Sequence, residues 1–527
     1  MLKADPQDKS RVLDPIYTLP GFRFWLVAAI LLVIIGWGVF VYLRQLAYGL
    51  GETGMDRPVY WGIYMVNFVF LIGVSMAGTL ISAALQLTQA EWRRPITRIA
   101  EAVTVFGLLV AALQLLFDIG SPDRLANIVI FGRLQSPLLW DANSLTLYIL
   151  TSMLALYLQL LPDIALLRDN LPSHAQAWQK FLYTRLSLGW KGNRTQWSRL
   201  HKAITTVSIL IIPIGISLHT ITSWVFSTTL QPGWKSTILG PYFVVGAIFS
   251  GIGMLFMVMT LVNRLLHLED YIKEKHYRLL GWFFIVMSGF WFYFTFTENL
   301  TMAAEQESLE FPVLASKLWG DSALSFWGMV ALMIIAIYIM VVPKLLPSSL
   351  QKIFIFRPQF SAASAGMAIV IGVMNRYPQF TPFKTALSFP KTSTLVWALV
   401  IMLTLSAGLG ISFWLKRHPA VTSVIAGACV VFGMWLERWN IIIPTVTHPR
   451  LIAYSNYQPT LVEISLTVSS LAILGLLFLL FFKLFPAVSI WEVNEGRVID
   501  SAQSKIEIPA PQPNPTRSLQ GRVIRDK

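Results

Sequence analysis

The chain of 527 residues is 55% apolar and only 13% charged, against about 25% charged in soluble globular chains. Many of its runs reach the roughly 18 to 20 apolar residues that cross a bilayer, which excludes a soluble domain and describes an all-α polytopic membrane protein. The net charge of +14 reads as loop lysines and arginines that set orientation, not as a nucleic-acid surface.

Residues 1–21 are polar, with Pro6, Pro15, Pro20 and Gly21 and no visible cleavable signal, so the first span is expected to be an uncleaved anchor. About twelve spans follow, near 22–44, 59–87, 97–117, 142–161, 203–228, 240–264, 280–300, 324–344, 359–376, 394–415, 420–444 and 460–485. Basic residues favour alternate loops: Arg93, Arg94 and Arg98, then Arg168 to Arg199, then Lys273, Lys275 and Arg278, then Lys352 and Arg357, then Lys416 and Arg417. The opposite loops, with Arg57, Arg124, Lys235, Lys317 and Arg450 among others, hold fewer. Positive charge stays inside, so both termini are expected in the cytoplasm. The tail, 487–527, contains IPAPQPNPTR and reads as a disordered extension.

An ionisable group at membrane depth costs about 2.5 to 3.5 kcal/mol on insertion scales, and such groups face the bundle interior with a partner or a task. Glu101 lies one turn into the third span and Asp118 at its end; Asp141 opens the fourth after Trp140. His219 lies in the fifth span, Glu298 near the end of the seventh, Glu437 and Arg438 in the eleventh. Topology puts all of these except Glu101 toward one surface, as a polar pocket requires. Each has a structural reading as well. Asp118 and Asp141 suit solvated helix ends or a cap, His219 an interhelical hydrogen bond, Glu437 and Arg438 a structural ion pair. The last two are adjacent, so their side chains diverge by about 100°, and each is expected to need a partner on another helix.

Haem b needs histidines facing one another across helices. His219 is alone deep in a span; His174, His201, His267, His276, His418 and His448 fall in loops or at span ends. The single cysteine, Cys429, excludes a disulfide framework and a cysteine-ligated iron–sulfur cluster within the chain. No phosphate-binding, zinc or nucleophile motif is present, so no metal is expected, and any electrons must pass to a centre in another subunit.

Five stretches, in order, carry a resemblance: GVSMAGTLISAALQLTQAEWRRPITRIAEAVTVF (73–106), SPLLWDANSLTLY (136–148), SLHTITSWVF (217–226), GMWLERWNIIIPTVTHP (433–449) and PTLVEISLTVSSLAILGLLFLLFFKLFPAVSIWEV (459–493). The chain resembles the NrfD, or polysulfide reductase membrane-subunit, family, and within it most closely the large quinol-binding membrane subunit of alternative complex III. The resemblance implies two tandem four-helix bundles plus flanking helices. The first bundle would occupy 59–228 and the second would start at 240–344, both within a core of 22–344. An inserted helical hairpin at 345–417 and C-terminal spans at 418–486 would complete it. It further implies a quinol pocket in the first bundle that includes Asp141 and Arg438, with His219 beside it. The chain departs from the family at three points: Asp118 stands where a histidine is common, Val225 replaces the aspartate of SWDF, and Met76 replaces a histidine.

The expected function is a quinone-interacting membrane subunit of a respiratory oxidoreductase in a bacterial inner membrane. Trp140, Asp141, His219 and Arg438 would hold the ring, and Asp141, Asp118 or His219 would handle protons. Glu101, Glu298 and Glu437 are proton-path candidates. Partners would be an iron–sulfur subunit, a molybdopterin or multihaem cytochrome subunit and other membrane subunits. Two rivals are a secondary transporter, which suits twelve spans but lacks matched broken helices, and an anchor subunit without quinone chemistry, suggested by Met76 and Val225.

Overall fold

The computed structural model describes residues 9–172, 175–345, 411–412 and 414–497. Among these the regular elements are all helical, and ten helices are long and apolar enough to cross a membrane. They are α1 (Phe22–Tyr48), α2 (Ile63–Leu87), α3 (Thr97–Asp118), α4 (Pro137–Asp169), α5 (Arg194–Ser227), α6 (Leu239–Leu265), α7 (Glu274–Glu305), α8 (Ala323–Leu345), α9 (Pro419–Thr447) and α10 (Leu461–Leu484). The expected spans at 359–376 and, but for its last residues, 394–415 lie outside the described residues, as does most of the expected hairpin region 345–417.

Several helices outrun their apolar segments. α4 has 33 residues and α5 has 34, where hydropathy predicts 142–161 and 203–228. The extra turns are held by protein and not by lipid: in α4 every residue from Pro162 to Leu167 is buried, and Arg168 is the first to come near the surface. α5 starts on an Asn193 cap whose side chain accepts from the Gln196 amide. Hydropathy marks the part of a helix that lipid requires, not where its hydrogen bonding stops.

α2, α3, α4 and α5 pack in a ring, α2 on α3, α3 on α4, α4 on α5 and α5 back on α2. α6, α7, α8 and α9 form a second ring in the same way. The two bundles meet chiefly where α6 lies on α2, with α5 against α6 and α9 against α2. α1 and α10 pair with each other, and α10 leans on α3 and α2. Small residues bring backbones close where helices cross. A Cβ placed on Gly427 of α9 would stand 2.6 Å from the Gly253 carbonyl of α6, and one on Gly78 of α2 would collide with the Ala100 carbonyl of α3.

α1 begins at what we call the near face and ends at the far face; the helices then alternate. The near face is locked by a buried ion pair, Arg98 Nη1 to Asp163 Oδ2 at 2.6 Å, with both side chains fully inaccessible. Arg98 also donates to the Gln159 carbonyl at 2.9 Å, and the Ile490 and Trp491 amides donate to the Asp163 carboxylate. The segment after α10 is thereby stitched to the first bundle. Arg98→Leu leaves a buried carboxylate unpaired and should lower stability by about 3 to 5 kcal/mol. Thermal unfolding of the detergent-solubilised protein checks this, and Arg98→Leu with Asp163→Leu should recover most of the loss.

Candidate functional site

Asp141 lies in the second turn of α4, which opens on Pro137. It is buried, and its Oδ1 accepts from the Thr222 hydroxyl of α5 at 2.6 Å. His219 is one turn back on the same face of α5 as Thr222, spaced by three residues. It is 1% exposed, and neither ring nitrogen makes a well-formed hydrogen bond; the nearest polar group is the Ile72 backbone of α2, at the margin of hydrogen bonding. Met76 is one turn along α2 from Ile72 and equally buried, so it belongs to this same face.

The charge that reaches His219 is Arg438 of α9. Arg438 is 1% exposed, and its guanidinium lies over the Phe243 ring of α6, 4.7 Å from the centroid. Its place exists because residue 246 is glycine: a Cβ there would fall 2.7 Å from Arg438 Nη2. Arg438 Nη1 approaches Glu437 Oε2 to 3.2 Å, yet neither atom makes a hydrogen bond. Although the two side chains leave the helix about 100° apart, the long arginine side chain curls back far enough to meet its neighbour. Each does also have a partner elsewhere. Glu437 Oε1 accepts from the indole N–H of Trp291 on α7 at 2.8 Å, and Arg438 has Phe243.

One face of α5 thus connects Asp141, Thr222, His219 and Arg438, drawn from helices of both bundles. Two predicted members stand elsewhere. Trp140 is 37% exposed and its indole N–H donates to the Leu134 carbonyl, so it turns outward, away from Asp141. Asp118 ends α3 on the side of α1 and α10, within the electrostatic reach of Glu463 and Tyr64. Glu463 itself is fully buried, accepting from the Tyr457 hydroxyl at 2.5 Å and the Gly54 amide at 2.7 Å.

The path candidates separate by bundle. Glu101 lies inside the first bundle toward the near face, accepting from Ser82 at 3.1 Å and from the Gln159 amide. Glu437 and Glu298 belong to the second. They share a cavity of about 30 Å³ with Tyr242, Thr295, Asn440 and Lys317. Hydropathy assigns Lys317 to a loop. It lies instead in a short helix, Phe311–Leu318, and is only 7% exposed; burial lowers its ammonium pKa, and Glu298 opposes that shift. Its signal was in the sequence: three and four residues after Leu314 and Val313, it falls on that helix's apolar face. Among the described residues one acidic trio could ligate a metal, Glu305, Glu307 and Glu310. Lys235 already pairs with Glu307 and Glu310, and Arg450 approaches Glu307 at 3.9 Å.

Residues 51–356 match the model of the family described as polysulphide reductase, NrfD. The membrane C subunit of a putative dimethyl sulfoxide reductase from Halobacterium salinarum is 31% identical over 274 residues, 50% of this chain and 57% of that protein. The C subunit of the selenate reductase from Mesobacillus selenatarsenatis is 21% identical over 85% of this chain and 91% of its own length. The integral membrane subunit of a menaquinone reductase from Nitratidesulfovibrio vulgaris is 32% identical over 20% of this chain and 25% of its own. The chain therefore spans little more than half of the first of these relatives and nearly all of the second.

Trp291→Phe preserves ring packing but leaves Glu437 Oε1 without its donor. An unsatisfied buried acceptor costs about 1 to 3 kcal/mol, more when charged, so the melting temperature of the purified protein should fall while far-ultraviolet dichroism is unchanged.

Proposed function

The chain belongs to the polysulphide reductase NrfD family, and from that we propose a quinone-interacting integral membrane subunit of a multisubunit oxidoreductase. It exchanges electrons between the quinone pool and an iron–sulfur partner, with molybdopterin or multihaem cytochrome subunits and further membrane subunits completing the complex. The likeness to the quinol-binding subunit of alternative complex III is part of the same proposal. So are a bacterial inner-membrane location and cytoplasmic termini, which make the far face the outer one; the loop lysines and arginines support that orientation. The relative named as a menaquinone reductase subunit supports the quinone.

The observation that carries this reading is a set of buried polar atoms with hydrogen-bonding capacity left over. Arg438 Nη1 is ion-paired with Glu437 but makes no hydrogen bond, and neither ring nitrogen of His219 has a well-formed one, whereas buried groups of this kind are nearly always satisfied in the working protein. A quinone ring has two oxygens on opposite edges. Arg438 would donate to one and stabilise negative charge developing there. His219 would engage the other. A quinol giving up two electrons to the partner also sheds two protons, and Asp141, one turn along α5 from His219 through Thr222, is the carboxylate within reach to accept one. Trp140 and Asp118 take no part at this face.

Asp141→Asn and Arg438→Ala should each lower quinol-dependent electron transfer by about 10² or more, the scale of losing one electrostatic catalytic group, while the complex still assembles. Gly246→Val should do the same with no charge removed, because its side chain takes the space of the guanidinium. Steady-state reduction of an artificial acceptor by the purified complex measures all three. Normal turnover in both Asp141→Asn and Arg438→Ala would remove the site and favour an anchor without quinone chemistry, for which the buried Met76 already speaks.

A further inference from the structure

The second bundle contains polar groups that the Arg438–His219 face does not use. Glu298, on the last third of α7, is 7% exposed and its Oε2 has no hydrogen-bond partner. Lys317 is equally buried and close enough to influence Glu298 electrostatically, yet no ion pair within 4.0 Å joins them. Two opposite buried charges that do not touch leave room between them. That room is the cavity of about 30 Å³ lined by both and by Tyr242, Thr295, Glu437 and Asn440. A site of this volume with several polar walls holds one or two waters, and a water between separated charged groups satisfies both.

A second opening lies above it. A cleft of about 390 Å³ is lined by Lys235, Ser236, Glu298, Thr301, Glu305 and Glu310, where the α5–α6 loop meets the far end of α7. Gly233 and Glu298 line both spaces. Glu298 is therefore the ionisable side chain shared by the outer cleft and the smaller cavity that reaches Glu437.

We propose that Glu298 and Lys317 form a hydrated proton port, which connects Glu437 in the second bundle to the far face by a route that does not pass through His219 or Asp141. The transfer is of protons alone. A proton on the cavity water passes to the Glu298 carboxylate, and the Glu298 carboxyl releases one to water in the cleft. The Lys317 ammonium stabilises the ionised state between the two steps. Glu437 is the inner terminus, tied to Trp291 and adjacent to Arg438, so the two bundles meet electrostatically along α9. This inference rests on the quinone reading only for the source of the protons; the hydration of the port does not depend on it.

The test uses the whole complex in sealed vesicles of either orientation, in a Cys429→Ser background that leaves no native thiol in this chain. Glu298→Cys should react with a membrane-impermeant charged thiosulfonate from the far face alone, the same side that labels Thr301→Cys in the cleft, whereas Glu101→Cys stays unlabelled from that side. Asn299→Cys, which also lines the cavity, replaces Glu298→Cys if the latter does not assemble. Labelling of Thr301→Cys with neither deeper cysteine reached would overturn the port. In the same vesicles, Glu298→Gln and Lys317→Met should each slow redox-driven proton movement at the far face at least tenfold, and unchanged movement in both would also overturn it. Failure of Asp141→Asn and Arg438→Ala to affect electron transfer would remove the quinone site and leave the labelling result standing.

Discussion

The polar groups of the candidate site and of the second-bundle cavity depend on how α9 disposes of two adjacent charges. Glu437 and Arg438 are about 100° apart around one helix, so one side chain is drawn to α7 and the other to α6 and α5. The arginine rests on Phe243 in space left by Gly246, and the glutamate takes the Trp291 indole. Burying one unpaired charge costs several kcal/mol, and their mutual approach at 3.2 Å keeps the pair close to neutral as seen from the lipid. The helix therefore serves both bundles at once, with a cation facing the first and an anion facing the second.

Most of the architecture was legible in the sequence, because lipid imposes a simple requirement. A backbone in hydrocarbon must satisfy its own hydrogen bonds, so every long apolar run among the described residues is a helix. The ends were less legible. The near-face turns of α4 are held by Asp163 and Arg98, and an ion pair 65 residues apart in sequence has no local signature. Arg98 read as a loop charge that sets orientation, yet it is fully buried.

The candidate site was legible in part, for the same reason. A rare charge within an apolar run is easily seen, and Asp141, His219 and Arg438 were found that way. The direction in which each points is fixed by helix rotation, which hydropathy does not encode. Trp140 and Asp141 are neighbours, so one turns outward when the other turns in. Asp118 follows the register of α3 toward α10. Thr222 and Tyr242 are ordinary helix residues and draw notice only through what they touch. Glu463 had a local signal, the Thr460-x-x-Glu463 capping box that opens α10, and Lys317 had another on its short amphipathic helix.

The pairing of α1 with α10 bears on how the molecule is made. The two lie at opposite ends of the described chain, yet Gly38 meets Ser469 so closely that a Cβ on the glycine would overlap the serine side chain. Trp37 donates to Ser465 at 3.2 Å, and Lys483 donates to the Pro15 carbonyl at 2.7 Å. A ribosome delivers α1 to the membrane first and α10 last among these helices. Until α10 is made, α1 waits in the bilayer without its mate, the gap at Gly38 bathed in acyl chains. The final helix then acts as a clasp, and a nascent chain cut short before it would leave the first bundle inserted but unfastened along the flank that α2 and α3 present.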